Sequence, residues 1–152
     1  MKGAGMRLQL ALNVDDLESA VDFYSKMFDA APARTKPGYV NFAIDQPPLK
    51  LVLFEGTGAP SGSINHLGVE VETLEEVLSA ETRLNDSGLD TTGVDETECC
   101  FAQKTETWLT GPDGSRWEWY VRQGDSEQFA NSVTGQVRDG QVASPCAEGG
   151  CC

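Results

Sequence analysis

Two stretches of the chain share one alternation of apolar and polar positions. In Arg7–Val14, Leu8, Leu10, Leu12 and Val14 fall on one face of an extended strand, and Arg7, Gln9, Ala11 and Asn13 fall on the other. In Ile64–Val71, Leu67, Val69 and Val71 oppose His66, Gly68 and Glu70. Each stretch leads to a capping residue and then to a run of helical periodicity. Asp16 opens a helix from about Leu17 to Phe28, with Leu17, Ala20, Val21, Tyr24 and Phe28 along one stripe. Thr73 opens a second helix, roughly Leu74 to Ser87, stopped at Gly88. Short strands follow the first helix near Ala33–Thr35, Tyr39–Ile44 and Leu49–Glu55, punctuated by Pro37-Gly38 and Gln46-Pro47-Pro48. Strands near Asp90–Val94, Phe101–Thr110 and Arg116–Val121 follow the second, the last two joined by the turn Gly111-Pro112-Asp113-Gly114.

The two halves align at a constant offset of 57 residues, which pairs Gln9 with His66, Val14 with Val71, Leu17 with Leu74 and Glu18 with Glu75. This is an internal repeat of strand, helix and three strands. It predicts an α+β fold in which two βαβββ modules, residues 6–56 and 63–122, form a cup-shaped mixed sheet in a single domain spanning 6–122. Gly56–Gly62 reads as the linker between the modules. From about Gln123 the periodicity fades, and residues 123–152 read as a flexible tail carrying Cys146, Cys151 and Cys152. Those three thiols suit capture of a soft ion, or have no fixed role.

Charge narrows the partners. A net charge of −13 with only 11 Lys+Arg repels a phosphate backbone and an anionic membrane surface, so neither nucleic acid nor membrane is expected as a partner. No stretch approaches the roughly 18 apolar residues of a spanning helix, and the beginning of the chain does not read as a signal peptide. The expected compartment is the cytoplasm, where the five cysteines are free thiols or ligands rather than structural disulfides.

The candidate chemistry lies on the polar faces of three strands. Gln9 opposes the Leu/Val face of the first strand, and His66 that of its repeat. Glu118, with Arg116 and Tyr120, opposes Trp117, Trp119 and Val121. If the modules curl into one cup, an amide, an imidazole and a carboxylate point into it, a donor set suited to a divalent metal with positions left for water or substrate. A histidine on a polar strand face is also an ordinary hydrogen-bonded residue. Glu55, which ends the fourth strand beside a glycine-rich linker, is a competing carboxylate ranked below Glu118. Cys99-Cys100 lies in the polar stretch Asp95–Phe101, between two expected strands. Adjacent side chains of an extended strand point to opposite faces, so joint chelation by both thiols requires a loop here. Such a pair suits soft centres: Cu(I), zinc, cadmium or trivalent arsenic.

Taken together, the repeated modules, the Gly-Pro-Asp-Gly turn before a Glu-bearing last strand, and the segments QLALNVDDLESAVDFYSKMF, KPGYVNFAIDQPPLKLVLFE, NHLGVEV, ECCFA and TGPDGSRWEWY resemble the vicinal oxygen chelate superfamily, and within it the ArsI/CadI group. That group holds organoarsenical carbon–arsenic lyases and cadmium-induced proteins. The resemblance covers about residues 6–122. It implies a non-haem Fe(II) enzyme that uses dioxygen to cleave the carbon–arsenic bond of trivalent organoarsenicals and release arsenite. Carried over by position, Gln9, His66 and Glu118 hold Fe(II), and Cys99 and Cys100 bind the arsenic. Many superfamily members have His where Gln9 stands, and an amide is the weaker ligand. The rival reading is a non-catalytic protein that sequesters cadmium or arsenite. A different reaction on the same fold, such as thiol transfer or isomerisation, leaves Cys99-Cys100 without a role. Whether one chain or a homodimer completes the cup stays open.

Overall fold

The computed structural model of the chain describes residues 5–126, 132–138 and 141–143. The element order is β1 (Arg7–Val14), α1 (Leu17–Phe28), β2 (Arg34–Lys36), β3 (Tyr39–Ile44), β4 (Leu49–Glu55), β5 (Ile64–Val71), α2 (Leu74–Asp86), β6 (Val94–Cys99), β7 (Ala102–Thr110), β8 (Arg116–Asp125), β9 (Ser132–Arg138) and β10 (Gln141–Ala143). The α+β class and the two successive βαβββ modules agree with the sequence reading. The chain divides into two compact units between Gly68 and Val69, inside β5.

In the first unit the strands run β1-β4-β3-β2. β1 and β4 are parallel, with Gln9 opposite Lys50 and Asn13 opposite Phe54, and β3 pairs antiparallel with both β4 and β2. Helix α1 makes the crossover that a parallel pair requires. Its entry is fixed by Asp16, whose side chain accepts from the Ser19 amide, and by Glu55, whose Oε2 accepts from the Leu17 amide at 2.6 Å. Glu55 therefore serves the end of a helix. The apolar stripe of α1 packs with Leu10, Leu12 and Val14 over buried Val40, Phe42, Ile44, Leu51 and Leu53.

The second unit orders its later strands β10-β9-β6-β7-β8, all antiparallel. Helix α2 opens with a reciprocal capping box between Thr73 and Glu76 and buries Val77, Ala80 and Leu84, one side of the helix. Its core joins Val71, Val77, Val94, Val121 and Val137.

Two expectations are corrected here. The sixth strand is Val94–Cys99, not Asp90–Val94, so most of the polar stretch taken for a loop is extended. Its alternation was hidden because β6 is flanked by β7 and β9 and carries polar residues on both faces. Part of the stretch from Gln123 that the sequence reads as a tail is also extended among the described residues. β8 continues to Asp125, and β9 adds to the free edge of β6, burying Val137 in the core. Backbone pairing is indifferent to side-chain polarity, so the Gly/Ser/Gln-rich composition did not announce these strands. Cys146, Cys151 and Cys152 lie outside the described residues.

Candidate active site

In the first unit the polar face of β1 is more deeply buried than its leucine face. Gln9 is 3 % exposed and Asn13 2 %, whereas Leu8 is 45 % exposed. The Gln9 amide nitrogen Nε2 lies 3.1 Å from His66 Nε2, so two of the expected ligands meet directly. On its other side, His66 Nδ1 is 2.8 Å from Asn65 Oδ1. An amide oxygen only accepts, so Nδ1 carries the proton and Nε2 presents its lone pair. The Phe54 ring, 6.2 Å from the imidazole centre, borders it, and Tyr39 packs edge-on against Phe54.

In the second unit the register places Thr97 and Cys99 of β6, Lys104, Glu106 and Trp108 of β7, and Glu118 and Tyr120 of β8 on one face of the sheet. Glu118 is fully buried. Its Oε2 accepts from Lys104 Nζ at 3.0 Å, and the same ammonium lies 3.2 Å from Glu106 Oε2. One buried cation thus serves two buried carboxyls. Burial opposes the charge on Lys104, but Glu118 and Glu106 outweigh it and hold the ammonium well above its usual pKa. Burial pushes the Glu106 carboxyl up to about 7; Lys104 counters this and Glu118 reinforces it. At neutral pH the cluster is best described as a Lys104–Glu118 ion pair with a partly protonated Glu106. Glu106 is held by the Thr97 hydroxyl at 3.0 Å, with Glu118 and Trp108 as neighbours. Tyr120 donates its hydroxyl to Glu70 at 2.7 Å, with Lys104 Nζ 5.0 Å above its ring centre.

The two thiols sit at the end of this face. Cys99 is the last residue of β6 and pairs with Ala102, so Cys100 and Phe101 form a two-residue hairpin turn. Both have positive φ, 53° and 62°. A turn with both central residues left-handed normally selects Asn-Gly, and two side-chain-bearing residues there are strained. Buried Phe101 anchors the turn, and its carbonyl accepts from the Ser126 amide at 2.9 Å. The reversal at Cys100 cancels the strand alternation that would separate the side chains: the sulfurs lie 2.9 Å apart, as free thiols. The contact with Cys100 and burial both raise the Cys99 pKa, while Lys104 pulls the other way.

The structure therefore unites Gln9 with His66 in one unit, and Cys99 and Cys100 with Glu118 on one face of the other. Among the described residues no group of three or more His, Cys, Asp or Glu is placed to share a metal. The expected trio has only two such side chains, its third donor being an amide. Imidazole nitrogen, carboxylate and amide oxygen are each donor types that suit a divalent metal, the amide only if Gln9 presents its Oε1. Sequence reasoning missed Lys104, Glu106, Asn13 and Asn65. The available signal was the alternation of β7, where Lys104, Glu106 and Trp108 share a face with the expected position of Glu118.

A family model for the glyoxalase/bleomycin resistance protein/dioxygenase superfamily matches residues 8–119. The chain belongs to this superfamily. It is 51 % identical over 143 residues to the cadmium-induced protein CadI of Mycobacterium tuberculosis (strain ATCC 25618 / H37Rv), covering 94 % of this chain and 93 % of the relative. It is 47 % identical over 149 residues to the trivalent organoarsenical cleaving enzyme of Thermomonospora curvata, covering 96 % and 99 %. These relatives put it in the ArsI/CadI group. It also resembles the solved structure of a superfamily member from Vibrio splendidus 12B01, with a TM-score of 0.52 and 20 % identity over 78 % of this chain and 99 % of that one. At that identity the likeness concerns the fold alone. No helix among the described residues is long and apolar enough to cross a membrane.

Proposed function

We propose that this member of the ArsI/CadI group is a carbon–arsenic lyase acting on trivalent organoarsenicals, methylarsenite or aromatic arsenicals, with Fe(II) and dioxygen, and releasing arsenite. The observation that carries the reading is the thiol pair: two thiol sulfurs 2.9 Å apart, at a strained turn, on the face that bears buried Glu118. Gln9, His66 and Glu118 are the proposed Fe(II) ligands. His66 suits the role through the Nε2 lone pair, which faces the Gln9 amide, and Glu118 through its held carboxylate. Fe(II), when bound, supplies the dioxygen chemistry.

The chain's own residues do the rest. Cys99 and Cys100 each form a sulfur–arsenic bond; their two protons leave with the two hydroxyls of methylarsenite as water. Capture by both thiols fixes the arsenic and aims its organic substituent, making the encounter effectively intramolecular. The ammonium of Lys104 lies close enough to favour the sulfurs' deprotonated forms as the bonds form.

A second reading is a cadmium- or arsenite-sequestering protein on the same thiols; the relative from Mycobacterium tuberculosis is named for its induction by cadmium. One experiment separates the two. The protein is loaded with Fe(II) anaerobically, given methylarsenite and then air, and the arsenic species are measured. Arsenite formed only with both iron and oxygen establishes the lyase. Intact methylarsenite held in stoichiometric amount establishes sequestration.

A further inference from the structure

The segment between the modules reads in the sequence as a linker. Its hydrogen bonds say more. Ser63 Oγ donates to the Pro60 carbonyl, and a carbonyl can only accept, so the direction of that bond is fixed. The Ser63 oxygen is then the acceptor for Asn13 Nδ2, at 3.1 Å. This sets the Asn13 amide so that Oδ1 faces the opposite way, where it accepts from Asn65 Nδ2 at 3.0 Å and from the Thr57 hydroxyl at 2.9 Å. The Ser63 carbonyl, which can only accept, also receives Asn13 Nδ2 at 3.4 Å. Two carbonyls of known polarity, Pro60 and Ser63, therefore agree on the orientation of Asn13. With its nitrogen committed to Asn13, Asn65 turns Oδ1 to His66 Nδ1 at 2.8 Å. Every bond from Pro60 to the imidazole has only one consistent direction.

We infer that the segment from Thr57 to Ser63, acting through Asn13 and Asn65, sets the tautomer of His66, keeping the proton on Nδ1 and the lone pair on Nε2. Asn65 and Asn13 are positioning residues that touch neither metal nor substrate. The role of Nε2 as an iron ligand rests on the proposed function; the tautomer itself does not. The arrangement also accounts for a buried asparagine on β1. Asn13 is 2 % exposed, and its amide can be satisfied there only by partners on both sides. The backbone ties the segment to the same strand, since the Asn13 amide donates to the Ser63 carbonyl and the Gly62 amide to the Asn13 carbonyl. Outer partners of a metal-binding histidine typically change metal affinity by about 10–100-fold when removed.

His66 is the chain's only histidine, so selective 15N-histidine labelling yields the spectrum of one residue. The metal-free protein is measured at about pH 8, above the ordinary imidazole pKa, and Fe(II) affinity is measured separately under anaerobic conditions. The wild type is expected to show a protonated Nδ1 and a bare Nε2. Asn65→Ala is expected to shift the population toward Nε2–H and to weaken Fe(II) binding about 10–100-fold. Asn65→Asp loses the donor to Asn13 but keeps an acceptor at Nδ1, and is expected to retain the Nδ1–H form. Ser63→Ala, three hydrogen bonds from the ring, is expected to mix the tautomers. A wild type protonated on Nε2 overturns the inference, as does an unchanged Nδ1–H form in both Asn65→Ala and Ser63→Ala. If the tautomers move as expected but the wild type does not bind Fe(II), the iron-ligand assignment falls and the tautomer inference stands.

Discussion

The two units carry their candidate groups by different physical means. The first holds Gln9 and His66 with neutral, directional hydrogen bonds among amides, hydroxyls and backbone. The second holds Glu118 with a buried ammonium shared between two carboxyls. A neutral network fixes orientation and proton position at small cost, because no charge leaves water. A buried charged cluster fixes position against a large desolvation penalty, and it becomes costly when one member is removed. The repeat thus reproduced a backbone and not a way of stabilising side chains. His66 stands at the position equivalent to Gln9, yet it is held by neutral amides, whereas Glu118 is held by an ammonium.

The largest effect that tests this contrast is on stability. Lys104→Met leaves two buried carboxyls facing each other and is expected to cost about 3–5 kcal/mol in urea unfolding. Asn65→Ala, at an exposed position, is expected to stay near 0.5 kcal/mol. Adding Glu106→Gln and Glu118→Gln to Lys104→Met should recover much of the loss. Equal costs for the two single variants would erase the distinction between the units.

Next comes a separation of ligands. Cys99→Ser or Cys100→Ser is expected to weaken methylarsenite binding at least about 10-fold while leaving Fe(II) binding intact, because a single thiolate loses the chelate. His66→Ala is expected to do the reverse, with an Fe(II) loss beyond the roughly 100-fold of an outer partner. Unchanged arsenical affinity in both cysteine variants would sink the substrate assignment.

A pH test sharpens the charged side of the comparison. Glu106 is raised from 4.5 to about 7, so between those values the folded protein keeps a proton that the unfolded chain has released. The folded state then binds more protons, and this group's contribution to stability falls as pH rises through that window and is flat above it. Glu106→Gln is expected to flatten the change in urea midpoint between about pH 5 and about pH 8. An unaltered slope would mean that another group carries it.

The smallest effect concerns a helix end. Thr73→Ala removes the α2 capping box, and a loss of about 1 kcal/mol is expected in thermal unfolding. A negligible change would show that packing of Val77, Ala80 and Leu84 alone holds the helix.

Alternation and capping residues in the sequence determined β1, β5, both helices and the repeat, since these signals are local and repeat at the period of the element. They also put Gln9, His66 and Glu118 on polar strand faces, because side-chain direction in a strand follows from parity alone. Only the tertiary structure decided what those faces meet. β6 and β9 form through backbone pairing with neighbours, which leaves little trace in composition. The proximity of Cys99 and Cys100 depends on a left-handed turn that their residue types do not favour. The Lys104 cluster and the Asn13–Asn65 network join residues from separate elements, and hydrogen bonds and charge pairs of that reach exist only after the chain has folded.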